Sequence, residues 1–186
     1  GDVSGKGVPA AIFMAVSRTL IRATGLKGIP SSECMVYVNN LLCNESVSSM
    51  FVTVFYGILN TATGEIDFVN AGHNPPYIIS SSGIRKVDMT GGVILGCMEE
   101  FSYRSKTVKL NTGERLFLFT DGVTEAFNSA GEVYGDPRLE AFLNAHLNTP
   151  LEETIRLLAA EINEYSKGEP QSDDITMLSI AYNGQS

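Results

Sequence analysis

Apolar residues at helical spacing predict helices near both ends of the chain. The first helix begins near Pro9, a favourable first-turn residue, and Gly25 ends it. Residues such as Phe13 and Met35, at helical spacing in the first two helices, are expected in the core. The other predicted helices span 32–43, 137–146 behind Asp136 as the N-cap, and about 150–166.

Between these helices, β-rich segments alternate with turn sequences. The predicted strands are 51–59, 65–71, 77–79, 84–87, 103–110 and 115–120, and a last strand covers 175–182. The intervening turns predict three hairpins, one of which joins 103–110 to 115–120 across residues 111–114. Hairpins imply antiparallel pairing, so the pattern favours an α+β fold, with sheet packed on sheet and helices outside, over a doubly wound parallel sheet.

Composition narrows the functional classes. The 186 residues fit one domain, and 44% apolar with 18% charged residues is a globular composition. A net charge of −8 gives no support to a nucleic-acid partner or to membrane contact, and no apolar run is long enough to span a membrane. Three cysteines without a CxxC pair favour reduced thiols and a cytoplasmic location, and two histidines argue against a zinc site.

Three aspartates each stand at the end of an apolar run. Asp2 lies in the glycine-rich segment GDVSGKG, Asp121 ends the run LFLFTD, and Asp173 opens DDITML. Carboxylates that converge repel by about 4 kcal/mol at 4 Å, so such a cluster is expected to enclose hard divalent cations. The first segment is not a phosphate-binding P-loop, because only three residues separate its first glycine from the Gly-Lys pair. Its glycines indicate a tight turn near an ion or phosphate, where the Val3 carbonyl oxygen is available.

Four segments, GDVSGKG, AGHNPP, FTDGVTEA and DDIT, occur in this order over nearly the whole chain. Together they resemble the signature of the SpoIIE/RsbU-type phosphatases, the bacterial branch of the metal-dependent, protein phosphatase 2C-like (PPM) serine/threonine phosphatases. The resemblance implies a four-layer α-β-β-α sandwich of two antiparallel sheets flanked by helices, as one domain over residues 1–186. It also implies two Mn²⁺ or Mg²⁺ ions at one edge.

The resemblance assigns the site residues as well. Asp2 would bridge both metals, the Val3 carbonyl would bind one, and Asp121 and Asp173 would complete the ligand set on the other. These three aspartates are therefore the expected catalytic residues. Asp174 is expected to support the ligands from outside or to aid an additional weak metal.

The implied activity is hydrolysis of phosphoserine or phosphothreonine by a hydroxide that bridges the two metals. The implied substrate is a small phosphorylated regulator of the anti-sigma-factor antagonist type, and the parent protein could form a homodimer. A further family motif, Gly-Asp-x-x-Asp, normally precedes GDVSGKG, so we expect this chain to be truncated at its N-terminus and to lack a metal ligand and one or two strands. A catalytically weak binding module therefore stays open as an alternative, as does a metal-stabilised structural domain.

Four more residues have competing interpretations. Ser4 stands where eukaryotic relatives carry a histidine proposed as general acid; a serine is a poor proton donor, which leaves that task to water. Lys6 could attract the substrate phosphate or simply be solvated, and Glu125 could hold a metal-bound water or face solvent. For His73, ordering of a turn is favoured over catalysis.

Overall fold

The computed structural model describes residues 1–45 and 50–184. Over these residues the helices are α1 (Gly7–Gly25), α2 (Ser31–Glu45), α3 (Gly135–Ala145) and α4 (Leu151–Tyr165). The strands are β1 (Asp2–Val3), β2 (Val52–Leu59), β3 (Glu65–Ala71), β4 (Tyr77–Ser80), β5 (Gly83–Lys86), β6 (Lys106–Lys109), β7 (Arg115–Phe119) and β8 (Met177–Ala181). Every predicted helix and strand overlaps one of these elements. The described helices include none long and apolar enough to cross a membrane.

The first of two compact units comprises the described residues of Gly1–Pro75 and Asp88–Lys109. Its antiparallel sheet has the order β1-β2-β3-β6, and α1 and α2 accompany it. In the first half of β2 buried residues alternate with half-buried ones, as expected for a strand with one buried face. There Val54 shares a cluster with the fully buried Met35 of α2, and Phe13 of α1 packs against that cluster.

The second unit comprises Pro76–Val87 and the described residues from Leu110 onward. Its antiparallel sheet has the order β5-β4-β7-β8, with α3 next to β5 and α4 next to β8. The apolar stripe of α4 supplies Leu158 and Ile162 to a core that also contains Phe117 and Phe119 of β7. The predicted α+β fold with two antiparallel sheets and flanking helices is confirmed, whereas the prediction of one domain over the whole chain stays a prediction.

The predicted hairpin between 103–110 and 115–120 is wrong. The strand β6 pairs with β3 in the first sheet, and β7 pairs with β4 and β8 in the second. Both edges of β7 are therefore occupied, which leaves no edge for β6. The segment 111–114 does turn, with the Glu114 amide donating to the Asn111 carbonyl at 2.9 Å, but the chain passes there from one sheet to the other.

Asp136 does not cap α3. The helix begins one residue before it, so Asp136 lies within the first turn. Its carboxylate instead accepts a hydrogen bond from Lys86 Nζ at 2.7 Å, because the cation of the neighbouring strand β5 is a stronger partner than a backbone amide. The ion pair ties the helix to the strand.

Candidate metal centre

The two units contribute separately to the predicted ligand set. Asp2 and Val3 belong to the first unit, whereas Asp121 and Asp173 belong to the second. Within the described residues, no group of three or more His, Cys, Asp or Glu side chains is arranged to hold a metal ion. The predicted metal ligands therefore stay predictions, and the geometry around each one is described within its own unit.

The strand β1 carries Asp2 along the edge of β2. Asp2 and Val3, both half-buried, pair with Thr53 and Val52 in antiparallel register. The next residue closes the pairing from both sides: the Ser4 amide donates to the Phe51 carbonyl, and the Phe51 amide donates to Ser4 Oγ, each at 2.9 Å. The Asp2 main chain is thus held in a defined direction, and the hydroxyl group of Ser4 has a structural contact.

A glycine turn connects this strand to α1. Gly5 and Gly7 have φ angles of 83° and 79°, which side chains with a Cβ rarely adopt. Lys6 between them is exposed. The turn accounts for Gly5 and Gly7, two of the three glycines of the motif.

His73 lies in the core next to the Asp2 pairing. Its side chain is only 5% exposed, and Nδ1 is 2.9 Å from Thr53 Oγ1. Asn70 brackets the histidine, because its Oδ1 accepts from the His73 amide and its Nδ2 donates to the His73 carbonyl, both at 2.8 Å. Burial lowers the pKa of His73 to about 4, so the ring is neutral at neutral pH. These contacts favour an ordering role over proton transfer.

In the second unit, Asp121 follows directly after β7. It opens a single 3₁₀ turn, Asp121–Val123, in which its carbonyl oxygen accepts from the Thr124 and Glu125 amides, both at 2.8 Å. Its side-chain Oδ1 is buried and has no hydrogen-bond partner. A buried carboxylate oxygen without a partner is costly, and a bound cation removes that cost.

The segment of Asp173 and Asp174 lies directly against this turn. A Cβ added at Gly122 would stand 2.9 Å from the Asp173 carbonyl oxygen and 2.6 Å from that of Asp174. Only a glycine permits so close an approach. The second unit therefore brings the segments of two predicted ligands together, even though about fifty residues separate them in the sequence.

Thr120 fixes this contact. Its hydroxyl group donates to the Asp174 carbonyl at 2.7 Å and accepts from the Thr176 amide at 2.9 Å. Asp173 is ordered further, since its Oδ1 accepts from the Asp174 amide at 2.8 Å. Sequence reasoning overlooked Thr120, and its position directly before Asp121 was the available signal.

The donor set of the second unit fits a hard divalent cation. Carboxylate oxygens are the ligands that Mg²⁺ and Mn²⁺ prefer, and Asp121 Oδ1 is an oxygen of this kind that lacks a protein partner. Two further acidic side chains are exposed: Glu125, four residues beyond Asp121, and Asp174, directly after Asp173. The positions of Asp174 and Glu125 do not decide between the alternative roles that the sequence predicts for each.

Comparison with known proteins identifies relatives of this chain. It is 30% identical to the protein IcfG of a Synechocystis species over 98% of its own length and 33% of that protein. It is 28% identical to the phosphoserine phosphatase RsbU of Bacillus subtilis, over 83% of the chain and 46% of RsbU. The chain thus spans a third to less than half of the length of these curated relatives.

Solved structures share the fold. The SiaA-PP2C domain of Pseudomonas aeruginosa superimposes with a TM-score of 0.80 at 22% identity, over 97% of this chain and 72% of that structure. The family model described as stage II sporulation protein E (SpoIIE) matches residues 1–183. The chain therefore belongs to the SpoIIE family.

Proposed function

We propose that this chain is a metal-dependent protein serine/threonine phosphatase domain that hydrolyses phosphoserine or phosphothreonine in a regulatory phosphoprotein. The observation that carries the proposal is the buried, unpartnered Oδ1 of Asp121 beside the Asp173 segment, in a chain of the SpoIIE family. The similarity to RsbU, which is named a phosphoserine phosphatase, supports the reaction. The proposal treats residues 1–186 as one functional domain.

In this proposal, Asp2, Asp121, Asp173 and the Val3 carbonyl hold two Mn²⁺ or Mg²⁺ ions. Such ions would provide a water nucleophile at neutral pH and neutralise the phosphoryl oxygens. The protein's own contribution is to hold the ligands in place, through the β1 pairing for Asp2 and through the Thr120 hydroxyl for the Asp173 segment.

The remaining acidic and basic residues have auxiliary roles. Lys6, exposed in its glycine turn, attracts the phosphoryl group. Glu125, four residues beyond Asp121, orients a water molecule. Asp174, also exposed, supports the ligands from outside. Protonation of the leaving oxygen falls to water, because the hydroxyl group of Ser4 is a weak acid.

The proposed substrate is a phosphorylated anti-sigma-factor antagonist, and the proposed location is the cytoplasm. The substrate is extended from the resemblance to the RsbU-type phosphatases, and the location from the three cysteines without a CxxC pair. A homodimer formed through the parent protein is part of the proposal as well. The net charge of −8 gives no support to a nucleic-acid substrate.

Phosphate release from a phosphoserine protein in the presence of Mn²⁺ tests the proposal. We expect Asp121→Asn to lower the rate by more than the roughly 10–100-fold that loss of an outer-shell partner costs. Asp88→Asn, at an exposed aspartate that forms a 3.5 Å ion pair with Lys106, is the matched control and should leave the rate unchanged. Full turnover by Asp121→Asn would overturn the metal site, whereas binding of the phosphoprotein without phosphate release would support the binding module instead.

A further inference from the structure

We propose that His73 is a positioning residue that fixes the main chain of Asp2 through the hydroxyl group of Thr53. The inference rests on the proposed function, because it takes Asp2 to be a metal ligand. It assigns a role to a buried histidine that the phosphatase reaction itself does not require.

Two contacts of the Thr53 hydroxyl group and one strand pairing define the connection. Thr53 Oγ1 lies 2.9 Å from His73 Nδ1 and 3.4 Å from the Asp2 carbonyl oxygen. Thr53 is also the residue that pairs with Asp2 in the β1–β2 register. Asn70 holds the His73 main chain at both its amide and its carbonyl group, so the point from which the ring extends is fixed. All of these residues lie within the first unit.

The direction of the hydrogen bonds follows from the single proton on the threonine hydroxyl. A carbonyl oxygen can only accept, so this proton goes to Asp2. His73 Nδ1 must then be the donor to Thr53 Oγ1, which requires the neutral ring to carry its proton on Nδ1. The proposed connection thus requires the neutral tautomer of His73 that carries its proton on Nδ1.

The consequence for Asp2 follows from peptide geometry. The peptide group between Asp2 and Val3 is planar, so holding its oxygen fixes the orientation of the whole plane. The Ser4 pair with Phe51 holds the chain two residues further on. With both ends of this short segment held, the Cα–Cβ bond of Asp2 and the Val3 carbonyl have defined directions. Polar partners behind a metal ligand typically contribute 10–100-fold to metal affinity or activity.

Calorimetric titration of the full 186-residue chain with Mn²⁺ tests this role. We expect Thr53→Val, which keeps the shape and removes the hydroxyl group, to weaken Mn²⁺ binding by about 10–100-fold. Thr53→Ser keeps the hydroxyl and should stay close to wild type. His73→Leu should weaken binding, and His73→Asn should rescue it, because the asparagine amide nitrogen can occupy the Nδ1 position.

His146 offers a matched control. It is the other histidine of the chain, it belongs to the second unit, and its Nδ1 lies 2.8 Å from the Phe142 carbonyl oxygen. His146→Leu removes a comparable hydrogen bond and should leave Mn²⁺ affinity unchanged. Equal loss in His73→Leu and His146→Leu would show a general loss of stability and would overturn the positioning role.

A metal-free measurement makes the inference testable on its own. Long-range ¹H–¹⁵N spectra at pH 8 distinguish the neutral tautomers, and His146, which can only donate to a carbonyl through Nδ1, is an internal standard. We expect His73 to show the same Nδ1–H pattern, and an Nε2–H pattern would overturn the inference. If the wild type binds no Mn²⁺ and releases no phosphate, the proposed function fails. If it binds Mn²⁺ and Thr53→Val binds equally well, only the positioning role fails.

Discussion

Replacement of Arg115 by methionine should strongly destabilise the second unit. The Arg115 residue is only 8% exposed, and its guanidinium group donates to main-chain carbonyls between α3 and α4. The two short bonds run to the Thr149 and Leu147 oxygens, both at 2.7 Å, and longer ones reach the His146 oxygen at 3.4 Å and Thr154 Oγ1 at 3.5 Å. One side chain of β7 therefore holds the whole connection between two helices.

The expected loss of free energy of unfolding follows from the two short hydrogen bonds of Arg115. A hydrogen bond from a charged donor contributes about 1.5–3 kcal/mol, which gives about 3–6 kcal/mol for the pair. Burial opposes this, as the lowered pKa of the Arg115 guanidinium indicates, so part of the gain only offsets the desolvation of the charge. We expect Arg115→Met to lower the free energy of unfolding by about 2–4 kcal/mol, since methionine fills the space but leaves the carbonyls unpaired.

Urea unfolding followed by circular dichroism measures this loss. The control is Arg156→Met, because the Arg156 side chain is 69% exposed and its ion pair with Glu153 is 3.5 Å long. Arg156→Met should change the free energy of unfolding by no more than about 0.5 kcal/mol. Arg115→Lys should fall between the two, because a lysine cannot reach two carbonyls with a planar fork. A loss below about 1 kcal/mol in Arg115→Met would refute the reasoning that the carbonyls depend on this donor.

Two further predictions concern the ligand segments. Gly122→Ala should displace the Asp174 main chain, since the new Cβ would lie 2.6 Å from the Asp174 carbonyl oxygen. The substitution should lower the free energy of unfolding by about 1–3 kcal/mol and should also lower the affinity for Mn²⁺. Unchanged stability in urea would contradict the close approach. His73 has a pKa of about 4 in the folded chain against an ordinary 6.5, so protons favour the unfolded chain between these values. Stability from this residue is present above pH 6.5 and falls by about 3 kcal/mol towards pH 4, and urea unfolding of His73→Asn over the same pH range should lack this part of the loss.

The sequence specified the elements well because their signals are local. The strand β3 has the predicted bounds of 65–71, and its turn with β2 contains Asn60, whose side chain accepts from the Ala62 amide at 2.9 Å. Such turn chemistry is complete within a few residues. Strand pairing, in contrast, depends on segments that are distant in sequence. The hairpin predicted at 111–114 is wrong because β4 and β8 occupy both edges of β7.

Burial within α1 shows the same limit. Helical spacing located the helix, but Ile12 and Val16 are 59% and 41% exposed, whereas Ser17 and Thr24 on the same helix are buried. The Ser17 hydroxyl satisfies itself by donating to the Phe13 carbonyl at 2.8 Å. A periodic pattern therefore indicates that a helix forms without deciding which residues face the core, since that depends on neighbours distant in sequence.

The aspartates predicted the candidate site, but sequence reasoning did not include the threonines whose hydroxyl groups contact the main chain of the aspartate segments. In each unit a threonine hydroxyl donates to the main-chain oxygen of an aspartate: Thr53 to Asp2 in the first, and Thr120 to Asp174 in the second, across 54 residues. A β-branched side chain suits this task, because its restricted χ1 angle directs the hydroxyl with little loss of entropy. The position of Thr120 directly before Asp121 was a local signal, but the acceptor of its hydroxyl group lies 54 residues away and is determined only by the fold. The aspartates are the predicted ligands, and the threonine hydroxyl groups hold the main chain of their segments. Replacement by valine removes the hydrogen bond and keeps the β-branched shape, whereas replacement by serine keeps the hydroxyl group and removes the branch.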